Sequence, residues 1–283
     1  MKCFFNTCDE AIQNAASTKS FGIYYSEGQN QYRDVHIHDC CEIFLCITGG
    51  KNFLIDDKIY NINDGDLFII NQFENHKVVS DKSSNLFARY SMHVYPTFLY
   101  ANSVGDTNLA NCFYGPDKVT KTSLSKAEVE HMTQLFESLR VDYDYGDEMY
   151  KKLRATEILL ETNRLFSTHT PHLSDKFSHQ SIQLAINYIN ENYSSPLTLE
   201  MIAKNAFVSV NQLCRLFTRY CGTTVTKYVI SKRIVEAKKL LSQGTSVTDT
   251  AFMCGFNDYA NFIKTFKKAV GVAPGKYKTV TKE

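Results

Sequence analysis

The strongest constraint on the fold of this chain is a pattern that occurs twice near its C-terminus. Leu216–Gly222 reads Leu-Phe-Thr-Arg-Tyr-Cys-Gly, and 49 residues later Thr265–Gly271 reads Thr-Phe-Lys-Lys-Ala-Val-Gly. A shorter apolar segment precedes each copy, at Ile202–Phe207 and at Thr250–Phe256. Self-similarity of this kind indicates that one supersecondary unit is used twice. We therefore predict two copies of a short helix, a tight turn and a longer helix.

Helix signals flank both units at the positions that this prediction requires. Apolar residues spaced by three and four predict an amphipathic helix before the first unit, and they are Ile182, Ala185, Ile186, Ile189 and Tyr193. Residues that cap helix N-termini precede the short and long helices, and they are Thr198, Ser209, Ser246 and Asn257 or Asp258. A long helix with a predicted buried face connects the two units, through Ile230, Ile234, Ala237 and Leu241.

The charge of the chain is divided unevenly between its two parts. The formal net charge of the whole chain is only +1. Residues 178–283 contain 14 basic and 6 acidic side chains, a net charge of +8, whereas residues 1–177 carry a net charge of −7. An acidic part and a basic part indicate two domains with different partners. The basic part is the candidate for contact with phosphates.

The outward faces of the two longer helices carry side chains that can read DNA. On the first they are Asn211, Gln212, Cys214, Arg215, Thr218 and Arg219, and on the second Tyr259, Asn261, Lys264, Lys267 and Lys268. Arginine, lysine and asparagine pair with base edges, and the major groove admits an α-helix. A basic face can also be merely solvated, but its duplication in both units favours DNA contact.

Residues 181–280 resemble the DNA-binding domain of the AraC/XylS family of transcription regulators. The residues that carry the resemblance are Leu213-x-x-Leu216-Phe217, Tyr228, Arg233-Ile234-x-x-Ala237-x-x-Leu240-Leu241, Gly255-Phe256, Phe262-x-x-x-Phe266-Lys267 and Gly271-x-x-Pro274-x-x-Tyr277. The resemblance implies two helix-turn-helix units, joined by the long helix, that enter successive major grooves on one face of double-stranded DNA.

The resemblance also assigns roles to individual residues. The base-facing positions that it implies are Asn211, Cys214, Arg215, Tyr259, Ala260, Asn261 and Lys264. Three further residues, nearer the C-terminal ends of the two helices, are suited to contact phosphates, namely Arg219, Lys267 and Lys268. Such a regulator is expected to act on a promoter or operator as a homodimer, with RNA polymerase as a further candidate partner.

The segment from Phe21 to Tyr95 has the pattern of a small β-barrel. Aromatic and β-branched residues alternate with turn residues at short, even intervals. Within it, the spacing His36-x-His38-x3-Glu42-x6-Gly49, followed by Gly65-Asp66 and His76, resembles the two motifs of the cupin superfamily. Two histidines two apart on a strand point to one face, so that they can share a ligand.

Three interpretations of this group of histidines and one glutamate stay open. In metal cupins the matching residues form a site of three histidines and one carboxylate, but here the proline expected near Gln72 and the asparagine expected after His76 are missing. The cluster could hold a metal, contact a small ligand or form structural hydrogen bonds. We assign His36, His38, Glu42 and His76 to a small polar ligand, a sugar being one candidate, and expect neither a bound metal nor a cofactor.

Two amphipathic helices are predicted between the barrel and the basic domain. One spans residues 125–140, with Val129, Met132, Leu135, Phe136 and Leu139 on one side. The other spans residues 148–167, with Leu153, Ile158, Leu159, Leu165 and Phe166. Their apolar faces could pack on the barrel or, as the resemblance favours, form a dimer contact. The polar segment from Thr168 to His179 reads as a linker.

The predicted fold is therefore an α+β multidomain chain. A cupin-like sensing barrel occupies residues 1–122, a helical dimerisation segment 123–167, a linker 168–180 and an all-α domain with two helix-turn-helix units 181–283. The predicted function is a DNA-binding regulator controlled by a small polar ligand, and the alternative is a metal-dependent cupin enzyme with an accessory DNA-binding domain. The absence of any other acid–base constellation favours the regulator, which has no catalytic residues.

The sequence also predicts where the protein works. No apolar run approaches the roughly 18 residues that a membrane span needs, and the first residues lack the apolar core of an export signal. The nine cysteines include no Cys-x-x-Cys pair. We therefore expect a cytoplasmic protein with reduced thiols and no membrane partner.

Overall fold

The computed structural model describes residues 2–28, 35–49, 52–56, 58–72, 74–79, 87–115, 118–168, 180–221 and 223–280. The strands of this part of the chain are β1 (Phe4–Phe5), β2 (Phe21–Glu27), β3 (Cys41–Thr48), β4 (Asn52–Ile55), β5 (Lys58–Asn61), β6 (Asp66–Ile70), β7 (His76–Val79), β8 (Ala88–Val94) and β9 (Lys121–Ser123). They form a six-stranded sheet in the order β1-β2-β8-β3-β6-β9 and a three-stranded sheet in the order β5-β4-β7. All pairs are antiparallel except β1 with β2.

Helices accompany the sheets and make up the C-terminal domain. In the N-terminal part they are α1 (Cys8–Thr18), α2 (Pro96–Ala101), α3 (Asn111–Tyr114), α4 (Lys126–Ser138) and α5 (Asp147–Thr168). In the C-terminal part they are α6 (Gln180–Asn192), α7 (Leu199–Asn205), α8 (Val210–Cys221), α9 (Val225–Ser242), α10 (Val247–Met253), α11 (Tyr259–Val270) and α12 (Pro274–Val280). The N-terminal part is thus β-rich and the C-terminal part helical, as predicted. The predicted linker lies almost wholly outside the described residues.

Side-chain alternation on β3 explains how the larger sheet is covered on both faces. Phe44 faces the smaller sheet, where its ring centroid lies 4.8 Å from that of Phe53 on β4. Ile43 and Leu45 face the opposite way and join the core under the helices. A strand with both faces buried requires apolar residues on each side. A polar side chain on the inner face, such as Glu42, is therefore conspicuous.

The apolar stripes of α4 and α5 pack on the larger sheet. Met132, Leu135 and Phe136 of α4 are buried in the same core as Ile158 and Leu159 of α5. The packing interpretation therefore accounts for most of the two predicted stripes. Leu153 lies on a different face of α5 and is 58% exposed. A dimer contact through these helices could therefore use only their outward faces.

The C-terminal domain contains the two predicted helix-turn-helix units. The first unit, α7 and α8, shares a core with α6 and the N-terminal half of α9, and the second, α10 and α11, shares one with the C-terminal half of α9 and α12. Four predicted caps accept hydrogen bonds from main-chain N–H groups, and they are Thr198, Ser209, Ser246 and Asp258. Of the predicted buried face of α9, Ile230 is instead exposed.

The turns of the two units differ at one equivalent position. In the second unit it is Gly255, with φ of +78°, and an added Cβ would lie 2.6 Å from the carbonyl oxygen of Tyr193. In the first unit it is Phe207, with φ of +56° and 84% of its surface exposed. Only the second turn therefore lacks room for a side chain.

We expect Gly255→Ala to lower the free energy of unfolding of the C-terminal domain by about 2 kcal/mol or more, through backbone strain and the close contact. Phe207→Ala is the matched control at the exposed turn and should change it by less than about 0.5 kcal/mol. Urea unfolding followed by circular dichroism measures both. Equal effects of the two substitutions would contradict this account of the turns.

None of the helices within the described residues is both long and apolar enough to cross a membrane.

Candidate functional site

The proposed DNA-facing residues lie on the outward faces of α8 and α11. On α8, Asn211 and Arg215 are exposed and Cys214 is partly buried. On α11 all four residues assigned to bases are exposed, namely Tyr259, Ala260, Asn261 and Lys264. The three residues assigned to phosphates are exposed as well, namely Arg219, Lys267 and Lys268. The opposite faces of the helices are fixed in the cores by apolar residues such as Phe217 and Phe262, so the polar faces are left open to a partner.

The four residues assigned to a ligand lie close together between the two sheets. The ring centroid of His36 lies 4.2 Å from that of His76, which in turn lies 4.7 Å from that of His38. Glu42 Oε2 lies 3.2 Å from His38 Nε2 and 3.3 Å from His76 Nε2. His93 on β8 joins them, with Nδ1 at 4.0 Å from the same oxygen. We call these five residues the histidine cluster.

Main-chain hydrogen bonds orient two of the imidazoles. The Nδ1–H of His38 donates to the carbonyl of Cys40 at 2.8 Å, and that of His76 donates to the carbonyl of Glu74 at 2.9 Å. Each Nε2 then donates to the Glu42 carboxylate when its ring is protonated, and presents a lone pair to that carboxylate when its ring is neutral. A nitrogen lone pair and a carboxylate repel each other unless a proton or another cation lies between them. The cluster is therefore suited to a positively charged or hydrogen-bond-donating occupant.

The charges in the cluster reflect its burial. Burial tends to raise the pKa of Glu42, but His93 and the hydrogen bonds from His38 and His76 hold that pKa well below its usual value. Burial lowers the pKa of His38, against the opposing effect of its hydrogen bond to Glu42. The cluster thus contains an ionised carboxylate beside one imidazole, that of His38, whose burial disfavours a positive charge.

The donor set fits a divalent metal ion. Ligating atoms of His36, His38 and His76 lie within 4.8 Å of one another, and so do those of His38, Glu42 and His93. Imidazole nitrogen and carboxylate oxygen suit zinc and iron. These residues could therefore hold such an ion, although the sequence led us to expect none.

The space at the histidine cluster is small. A cavity of about 30 Å³ is lined by His36, Glu42, His76 and the side chain of Arg89, among others. This volume accommodates a water molecule or an ion, whereas pockets for drug-sized ligands measure roughly 300–1,000 Å³. A sugar could enter only after the two sheets had moved apart.

A larger cavity lies on the other side of the sheet. It measures about 710 Å³ and is lined by Phe4, Tyr25, Arg140 and Lys151, among others. Three of its charged groups already have partners, since Arg140 pairs with Glu137 at 2.9 Å and Lys151 pairs with Asp142 and Asp147. These three groups are therefore less available to a ligand.

Two inward-facing residues of β8 were missed from the sequence. His93 belongs to the histidine cluster, and Arg89 lies beside it, where its guanidinium contacts the rings of Phe44 and Tyr24. Their signal is the alternation Arg-Tyr-Ser-Met-His-Val over residues 89–94, in which every second residue is polar although both faces of the strand are buried.

Two family models match the chain. The one described as an AraC-like ligand binding domain matches residues 20–139, and the one described as a helix-turn-helix domain matches residues 202–279. The first range contains the histidine cluster and α4. The second contains all the proposed DNA-facing residues.

Individual proteins with similar sequences are transcription regulators. A Bacillus subtilis protein described as an uncharacterized HTH-type transcriptional regulator, YdeC, is 27% identical, over 88% of this chain and 87% of that protein. The melibiose operon regulatory protein of Escherichia coli is 24% identical, over 98% of this chain and 95% of that protein. The crystal structure of an AraC-type transcriptional regulator from Chromobacterium violaceum is 29% identical over 36% of this chain and 91% of that one, with a TM-score of 0.35.

The two family models agree with the arrangement of the two domains. A buried polar cluster lies in the region that matches a ligand-binding domain, and two exposed basic helices lie in the region that matches a helix-turn-helix domain. The chain belongs to the AraC family of DNA-binding transcription regulators.

Proposed function

We propose that this regulator binds a specific promoter or operator sequence and that a small polar effector, with sugars as the first class to test, controls the binding from the histidine cluster. The observation that carries the proposal is the convergence of four histidines and one carboxylate inside a domain of the ligand-binding type. The name of the melibiose operon regulatory protein supports a sugar.

The proposed DNA contacts divide into two kinds. Arg215 and Asn211 on α8, with Asn261 and Lys264 on α11, read base edges, because arginine and lysine pair with guanine and asparagine pairs with adenine. Cys214 and Ala260 touch thymine methyl groups at most, and Tyr259 completes the base-facing set. Arg219, Lys267 and Lys268 hold phosphates and fix the register of the protein on the duplex.

An effector at the histidine cluster should stabilise the protein measurably. We expect one member of a panel of sugars and related polyols to raise the unfolding temperature by about 5–10 °C at a hundredfold excess over its Kd, since such an excess contributes about 2.7 kcal/mol. His76→Ala should abolish the shift. Differential scanning fluorimetry of both proteins measures it.

Tyr100→Ala, on the exposed side of α2, is the control for this experiment and should keep the full shift. A shift of the same size in His76→Ala would place the effector elsewhere, with the larger cavity beside Tyr25 as the next candidate.

The outward face of α5 is the proposed dimer contact. Met149, Leu153 and Leu160 lie on one side of this helix and are 63%, 58% and 49% exposed. Apolar patches of this kind usually mark interfaces. We expect Leu153→Arg to convert a dimer into a monomer, as measured by light scattering at micromolar concentration. Val104→Arg, on an exposed loop, should leave the dimer intact, and a dimer that survives Leu153→Arg would move the interface to another surface.

A metal-dependent enzyme is the competing function, and the grouping of imidazole nitrogens and a carboxylate at distances that a metal ion could bridge favours it. Elemental analysis of the purified protein separates the two. We expect less than stoichiometric metal, with zinc or iron bound only weakly. One tightly held ion per chain together with turnover of a substrate would favour the enzyme.

The proposed activity implies a cellular location for the protein. The described residues include all nine cysteines as free thiols, which suits the reducing cytoplasm in which we propose that the protein acts. RNA polymerase is then available as a further partner at the promoter.

A further inference from the structure

A short part of the N-terminal β-rich domain separates the histidine cluster from the C-terminal domain. It consists of residues 35–40 and 74–76, and the two segments are joined by main-chain hydrogen bonds of 3.2 and 3.1 Å between His36 and His76. We call it the partition. His36, His38 and His76 project from it into the cluster, and the residues that alternate with them project the other way.

The first helix-turn-helix unit rests on one end of the partition. Val35 packs against the core of this unit, together with Leu54 from β4. Asn75, next to His76, accepts a hydrogen bond from Ser231 near the middle of α9. Tyr228, in the first half of α9, donates to the main-chain carbonyl of Asp56 at 2.6 Å.

The core of the second unit, with the α9 and α12 helices that share it, contacts the other end. Ile37, between His36 and His38, packs against the core of this unit. Asp39 forms an ion pair with Lys238 in the second half of α9, where the lysine side chain is almost completely buried. Tyr277 of α12 donates to the same carboxylate at 3.4 Å.

The partition therefore has both units on one side and the histidine cluster on the other. The imidazoles of His38 and His76 are tied to its own main chain through Cys40 and Glu74. An occupant that draws these rings toward Glu42 must pull on the same main chain that supports Asp39 and Asn75. Packed elements respond to such displacements as units, because interiors compress little.

We propose that the partition couples the state of the histidine cluster to the relative arrangement of the two helix-turn-helix units. Changing the cluster then alters affinity for DNA that spans both units, and leaves affinity for DNA that only one unit contacts nearly unchanged. The proposal rests on the proposed function of both domains, and it deepens that function by naming the route of regulation.

A mutant cycle on the full-length protein tests the coupling. The probes are a duplex selected by the wild type from a random library and the same duplex with one of its two conserved segments scrambled. We expect Glu42→Gln to change Kd for the intact duplex by fivefold or more, within the usual range of allosteric coupling, and Kd for the scrambled duplex by less than about twofold. In a Lys238→Met background the first effect should fall below about twofold.

Lys239→Met is the matched control for the cycle, since Lys239 is the neighbour of Lys238 but pairs with Glu236 on its own helix. It should leave the effect of Glu42→Gln intact. An equal effect of Glu42→Gln on both duplexes, or one that persists in Lys238→Met, would overturn the coupling while leaving DNA binding itself established.

Reciprocity gives a second test that needs neither DNA nor a folded Glu42 variant. Coupling between two sites acts in both directions. Lys238→Met should therefore shift the imidazole ¹⁵N resonances of His38 and His76, whereas Lys239→Met should not. Unchanged histidine resonances in Lys238→Met would contradict the proposal, and this outcome is distinct from a failure to bind DNA.

Discussion

Raising the salt concentration from 50 to 200 mM should weaken binding of this protein to its DNA site by about 1,000-fold. The C-terminal part carries a net charge of +8, and its basic side chains on α8 and α11 are exposed. If about six phosphates are neutralised, log K should fall with log salt with a slope near −5, because each contact releases condensed counterions. Fluorescence anisotropy with a labelled duplex measures this slope.

Single substitutions refine the salt experiment. Lys267→Gln should reduce the slope by about one, since it removes one phosphate contact. Lys126→Gln, on the exposed start of α4, removes the same charge from the N-terminal domain and should leave the slope unchanged. A binding constant that hardly depends on salt would refute the assignment of these helices to DNA.

Glu42→Gln should lower the free energy of unfolding of the N-terminal domain by about 3–5 kcal/mol at neutral pH. Glu42 is buried and accepts from His38, with His76 and His93 close by. Removing one partner of a buried charged group leaves the others uncompensated. Urea unfolding followed by intrinsic fluorescence measures the loss, and Glu130→Gln on the exposed side of α4 is the control, with an expected change below about 0.5 kcal/mol.

The effect of Glu42→Gln should depend on pH in a defined direction. The folded-state pKa of Glu42 is held below its usual value, so its contribution is present above the unfolded-state pKa and is lost as pH falls through the folded-state value. The difference between wild type and variant should thus be largest near pH 7 and shrink below about pH 4. A difference that is constant down to pH 3 would mean that the Glu42 carboxylate does not stabilise the fold.

The sequence predicted the C-terminal domain in detail because its signals are local. Caps such as Thr198 and Ser246 act within three residues of their own position, and the spacing of Leu213, Leu216 and Phe217 defines a buried helix face without reference to the rest of the chain. Because the pattern is repeated, the prediction of the first unit also predicted the second. The choice between Asn257 and Asp258 as cap required the structure.

The N-terminal domain was less predictable because strand pairing is not local. The motif that contains His36, His38 and Glu42 indicated a cluster, but His93 enters it only because β8 pairs with β3. The partition could not be predicted from the sequence either, because contacts such as that of Asp39 with Lys238 join residues about 200 positions apart. The stripes of α4 and α5 showed that a face is buried, but not against what.

Selection of duplexes from a random-sequence library tests most directly the claim that both units read DNA together. We expect the wild type to enrich a motif with two conserved segments about 10 base pairs apart, the spacing of successive major grooves. Arg215→Ala should lose preference at one base pair of one segment, with a loss of about 1–3 kcal/mol, whereas Lys267→Ala should enrich the same motif with uniformly weaker binding. A motif with one segment, no enrichment at all, or the same uniform loss for both variants would contradict the account.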